Sequence, residues 1–206
     1  MLFKFINLLL VGSLLSSIFF INNDEKKIEN NAYHQKSVLP DNETDSTVFE
    51  TGEFTDKRDN KTYKWVKFGE KKWMVENLQY KPENGNFRAY DDSKSKLDSY
   101  GYLYDLKTAK NVVPEGWHIP SVEEWTELDS IFTANSYNYS TVFNAQLGGY
   151  LDGKYFKAIN MFGMWWSSDK KNAKEAWVYY TMKGENFMSK SGYGKELGIS
   201  VRCVQD

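Results

Sequence analysis

The chain has 206 residues with 26 basic and 28 acidic side chains, a formal net charge of −2. That length suits one domain with appended segments, and the lack of a basic surplus removes the counterion-release drive that nucleic-acid binding requires. A single cysteine, Cys203, excludes an internal disulfide, and with two histidines it leaves too few ligands for a zinc site of Cys and His.

Lys4 precedes an apolar run from Phe5 to Ile21 that is interrupted by Asn7, Gly12 and a few serines. A basic start before an apolar middle is the pattern of a secretory signal. The run is also close to the short limit for a spanning helix, so an uncleaved N-terminal anchor is the alternative. Export to the cell surface or beyond is therefore expected, with any membrane attachment made through this segment. Residues 22–52 are polar and charged without apolar periodicity, which predicts a disordered tether that includes His34. The folded part is expected over residues 53–206.

In that part "TYKWVKF" (62–68) alternates, "GEKK" makes a turn and "WMVENL" (73–78) follows, a hairpin pattern. Asp59 and Asn60 are the expected corner before it. Tyr80 to Tyr100 reads as loop. "GYLYDL" is extended and leads into a short helix over Leu106–Val112, stopped by Pro114. Ser121 followed by Glu124 has capping-box spacing, and Trp125, Leu128 and Ile131 or Phe132 then recur on one helical face.

"LGGYLDGKYF" (147–156) predicts a turn with a short strand. Ala176, Val178, Tyr180 and Met182 line one face of a strand, as do Ile199, Val201 and Cys203. "KGEN" (183–186) is the expected turn of a hairpin. The sum is an α+β fold of antiparallel strands with one or two short helices.

The blocks "FTDKRDNKTYKWVKFGEKKWMVENLQY", "YGYLYDLKTA", "PEGWHIPSVEEW", "MWWSS" and "GISVRCVQD", in that order, resemble the Fibrobacter succinogenes major paralogous domain over Glu53–Asp206. Its Trp-His-x-Pro-Ser block is similar, at a distance, to one in the formylglycine-generating-enzyme group. That similarity implies a C-type-lectin-like fold. Members of the paralogous family often carry a cysteine at the position of Val113, paired with that of Cys203, and a second pair at the positions of Ala89 and Leu97. Such a bridge contributes roughly 3–5 kcal/mol in the loop-entropy model. Its absence implies buried sites where Val, Ala and Leu recover part of this by packing, and a buried, inert Cys203 near Val113.

The same comparison weighs on the chemistry. Formylglycine generation at copper needs a cysteine pair, and the iron-dependent relatives need several histidines; this fold offers only Cys203 and His118. His118 could act as a general base, but Ser121 is a helix cap and Ser167 and Ser168 lack a glycine elbow. The structural reading makes it a histidine bonded to backbone beside Trp117. Asp91, Asp92 and Asp98, with Asp105 further on, could gather oxygens for calcium, yet no EF-hand spacing is present.

The aromatic content of 17% supports either a ring-filled core or a stacking surface. Adjacent Trp165 and Trp166 point to opposite sides of a strand. One of them is expected in the core and the other at the surface beside Tyr155 or Tyr179, as a platform for a sugar or a partner protein. Asn42, Asn60 and Asn138 have glycan-acceptor spacing, relevant only in a eukaryotic secretory pathway.

The expectation is thus an exported, noncatalytic binding domain without a cofactor. Carbohydrate or a cell-surface protein is the expected partner. Trp117, His118, Ser121, Glu124, Trp125, Val113 and Cys203 serve as its frame. The alternatives are a diverged metal-dependent enzyme of the formylglycine-generating type, or a purely structural surface protein.

Overall fold

The computed structural model describes residues 49–206. The apolar run Phe5–Ile21, His34, Asn42 and the tether up to residue 48 lie outside the described residues. Among the described residues no helix is long and apolar enough to cross a membrane.

Strands β1 (Thr51–Asp56), β2 (Lys61–Phe68) and β3 (Lys71–Met74) form an antiparallel meander, closed on the far side by β12 (Val204–Gln205). At the predicted corner Asn60 adopts the left-handed region (φ 58), and Asp59 Oδ1 accepts the Lys61 amide at 3.0 Å. Ordered packing begins earlier than Glu53. Phe49 lies edge-on to Phe68 and to Tyr137, at 5.4 and 5.1 Å between ring centroids.

A second sheet runs β10-β9-β8-β11-β5-β4, built from β4 (Phe87–Ala89), β5 (Tyr102–Tyr104), β8 (Phe162–Lys170), β9 (Glu175–Met182), β10 (Ser189–Gly194) and β11 (Ile199–Ser200). Strands β6 (Tyr150–Asp152) and β7 (Tyr155–Lys157) make a small hairpin. Among the described residues three α-helices, α1 (Lys94–Tyr100), α2 (Leu106–Asn111) and α3 (Val122–Ala134), accompany the sheets, with a short 3-10 turn at Tyr90–Asp92. The class is α+β with mostly antiparallel pairs; β8 and β11 pair in parallel.

Two departures from expectation shape the core. Helix α1 falls in the stretch read as loop, and Gly101 ends it at φ 74, where a Cβ would stand 2.7 Å from the Leu78 carbonyl. The terminal "GISVRCVQD" is not one strand: β11 belongs to the six-stranded sheet and β12 to the four-stranded one. Strand β8 separates two apolar clusters. Trp166 enters the first with Tyr63, Met74, Tyr104, Val178 and Cys203; Trp165 enters the second with Phe68, Trp73, Trp125, Phe132 and Phe143.

Candidate functional site

The motif stretch from Pro114 to Trp125 forms a corner between the two sheets. Gly116 turns the chain at φ 79, and the Trp117 amide closes the turn onto the Pro114 carbonyl at 3.1 Å. His118 then pairs with Val204 through both backbone bonds, each 2.9 Å, so the corner holds the last strand in place. Two residues after Ile119, Ser121 caps α3. Its Oγ accepts the Glu124 amide at 3.1 Å, and Glu124 Oε2 accepts the Ser121 amide at 2.8 Å. Asp169 from β8 accepts the Val122 amide at 2.6 Å, adding negative charge where the helix dipole favours it.

Around this cap lies a cleft of about 530 Å³ lined by Lys71, His118, Ser121, Glu123, Glu124, Glu127 and Ser168. Glu124 Oε1 meets His118 Nε2 at 2.8 Å and Lys71 Nζ at 3.2 Å, and Lys71 also pairs with the Asp206 carboxylate. Burial opposes the charge on Glu124. The Ser121 amide, the His118 ring and the Lys71 ammonium together outweigh that and hold its carboxyl below the ordinary 4.5. The hydrogen bond to Asp206 raises the pKa of Lys71.

A histidine oriented by a carboxylate is a general-base arrangement. Here, however, each Glu124 oxygen is committed and the Ser121 hydroxyl holds a helix amide. His118 therefore differs from expectation in one respect: its ring is bonded to a carboxylate, and only its backbone pairs with backbone. Donor atoms of His118, Glu124 and Asp206 lie within 4.8 Å of one another, a spacing that could hold a metal ion. The Lys71 ammonium already bonds both carboxylates of that group.

The proposed stacking platform is corrected. Trp165 and Trp166 are both fully buried, and Tyr179 is 4% exposed. Alternation does send the two tryptophans to opposite faces, but β8 is an interior strand with an apolar cluster on each face. Tyr179 stacks on Trp125 at 5.3 Å with an 18° interplanar angle. Of that set only Tyr155 is exposed, at 61%, on the β6–β7 hairpin.

In the acidic loop Asp92 is tied to Arg88, while Asp91 and Asp98 are exposed. Asp105 is consumed as the N-cap of α2, accepting from Thr108 N at 2.7 Å and from Asn86 Nδ2 at 2.8 Å. None of the four belongs to the convergent donor group.

The expected frame residues are mostly interior. Trp117, Trp125 and Cys203 are buried, and burial pushes the Cys203 thiol up to about 12. Val113 packs at the rim of the same cluster as Cys203. Of the other two replaced cysteine positions, Ala89 is buried while Leu97, like Val113, is only half-buried.

Sequence reasoning missed two features. Arg202 is fully buried, and its guanidinium donates to Asn77 Oδ1 and to the carbonyls of Met74, Phe143 and Asn144. Burial lowers its pKa to about 9, so it stays charged at neutral pH. The second is Trp177 on β9. This ring is half-buried, with the ammonium groups of Lys171 and Lys190 at 5.3 and 5.5 Å from its centroid. Its place just past the turn of the β8–β9 hairpin, after "DKKNAKE", was the available signal.

Residues 66–139 match the family described as the Fibrobacter succinogenes major domain. The match is shorter than the resemblance read from Glu53 to Asp206, but it includes the Trp-His-x-Pro-Ser block. No curated protein and no solved structure matches the chain.

Proposed function

We propose, for a chain whose residues 66–139 belong to the Fibrobacter succinogenes major domain family, a noncatalytic binding role at the outside of the cell, directed at carbohydrate. The observation that carries this reading is the position of the tryptophans. Trp73, Trp117, Trp125, Trp165 and Trp166 are spent on the core and the half-buried Trp65 packs against it, whereas the half-buried Trp177 lies beside an edge strand with two lysine ammonium groups at its ring. A flat ring at the surface is the group that stacks on the apolar face of a sugar. The apolar N-terminal run supports export.

Retention of the full chain on a panel of insoluble polysaccharides tests the reading. The expected result is retention on at least one polymer that Trp177→Ala abolishes. No retention on any of them, or retention indifferent to Trp177→Ala, overturns it.

The second reading is metal-dependent chemistry at the motif corner, favoured by the convergence of His118, Glu124 and Asp206. The Lys71 ammonium between the two carboxylates weighs against it, because it supplies the positive charge that a metal would. Metal analysis of the purified chain separates the two readings.

A further inference from the structure

The surroundings of Trp177 are more positive than the chain as a whole. The segments 169–175 and 189–196 hold five lysines against three carboxylates, in a chain of net charge −2. The carboxylates are largely occupied: Asp169 accepts the Val122 amide at 2.6 Å, and Glu175 accepts Asn172 Nδ2 at 2.7 Å. Lys195 is occupied too, donating to the carbonyls of Asn172 and Ala173 at 2.9 and 2.6 Å. Lys171 and Lys190 are the cations left at the ring. Lys171 is shared with Glu175 in an ion pair at 3.5 Å, a solvent-accessible pair of the weak kind.

Both lysines are placed by the strands. Lys190 on β10 is directly opposite Tyr179, which sets its side chain on the Trp177 face of the sheet. Gly192 is directly opposite Trp177 itself. A Cβ at Gly192 would stand 2.2 Å from Lys171 Cδ, so the missing side chain is the trough in which the Lys171 stem lies. The result is an indole with two ammonium groups directed to it by the fold.

Resting on the carbohydrate reading above, we propose that the Trp177 face binds the uronate units of an acidic polysaccharide, the indole stacking on a sugar ring and Lys171 and Lys190 pairing with its carboxylate. Exposed cation–π contacts are weak, so either lysine moves from the ring to a carboxylate at little cost. Charge complementarity selects an anion, and the ring selects a ligand with a flat apolar face. The overall negative charge of the chain disfavours a polynucleotide, whose phosphates demand an extended basic surface.

The test compares the full chain on polygalacturonate, its methyl ester, a neutral glucan and duplex DNA. The inference predicts about tenfold tighter binding to the acid than to the ester, the ratio that two exposed ion pairs supply, and a loss of that preference as salt is raised. Lys171→Ala with Lys190→Ala removes the preference. Trp177→Ala removes binding to acid and ester alike, and Trp177→Phe, which keeps a ring, restores part of it and shows that the fold is intact.

Equal binding to acid and ester, or a preference unchanged in the double lysine variant, overturns the inference while leaving the carbohydrate reading in place if Trp177→Ala still abolishes retention. DNA bound as tightly as polygalacturonate overturns it as well, because charge alone would then suffice. Retention on none of the polysaccharides overturns both.

Discussion

Glu124 divides its two oxygens between two tasks, one closing the capping box and the other holding His118 and Lys71. Because its folded pKa is depressed below 4.5, the stabilisation it gives is fully present above that ordinary value. It is lost as pH falls through the folded pKa. Asp56 acts in the same direction: burial opposes its charge, but bonding to Arg58 holds it below the ordinary 3.8. Stability should therefore fall on acidification beneath this window. Glu124→Gln keeps an acceptor for the Ser121 amide but loses the charge, and should cost ~1–2 kcal/mol at neutral pH with a shallower acid limb. Urea denaturation across pH checks both; a variant as acid-sensitive as the wild type contradicts the assignment.

Cys203 lies wholly inside the core. A thiol with no exposed surface and a pKa near 12 is protonated and shielded. Its alkylation should be roughly a hundredfold slower in the folded protein than in denaturant. Rapid alkylation under native conditions would show that this part of the core opens.

The elements that were legible in the sequence are those stabilised by local chemistry. Capping-box spacing and an apolar stripe locate α3 because the cap and the buried face are both written within thirteen residues. Helix α1 left no such trace: none of its residues is buried and no side chain caps it, so there was no periodic pattern to find. The terminal block was misread for the opposite reason. Ile199, Val201 and Cys203 do share burial, but the segment between β11 and β12 is organised by Arg202, whose partners lie far off in sequence at 74–77 and 143–144. Removing that guanidinium leaves several acceptors without a donor. Arg202→Met should therefore destabilise the fold by ~3–5 kcal/mol, read from the shift in denaturation midpoint. A loss under ~1 kcal/mol would mean that the carbonyls are readily satisfied by water.

For the whole molecule, alternation told correctly that Trp165 and Trp166 diverge, but not that both sides of β8 are covered. That depends on which strands flank it and on the packing of α3 and the meander, which are long-range facts. Among the described residues most rings accordingly lie in or against the two clusters around β8. The motif corner shares in this economy: its loudest residues tie α3, β3 and the terminal strand together. The surface proposed for binding is the β9–β10 edge, where the ammonium groups of Lys171 and Lys190 lie at the Trp177 ring.

The motif corner and the β9–β10 edge are separated most cleanly by one comparison, the retention of wild type, His118→Gln and Trp177→Ala on the polysaccharide that binds the wild type best. A structural corner and a binding edge predict that His118→Gln lowers the thermal midpoint yet is retained like the wild type, while Trp177→Ala keeps its midpoint and runs unretained. Loss of retention in His118→Gln with Trp177→Ala unaffected would move the site back to the motif corner and contradict the account.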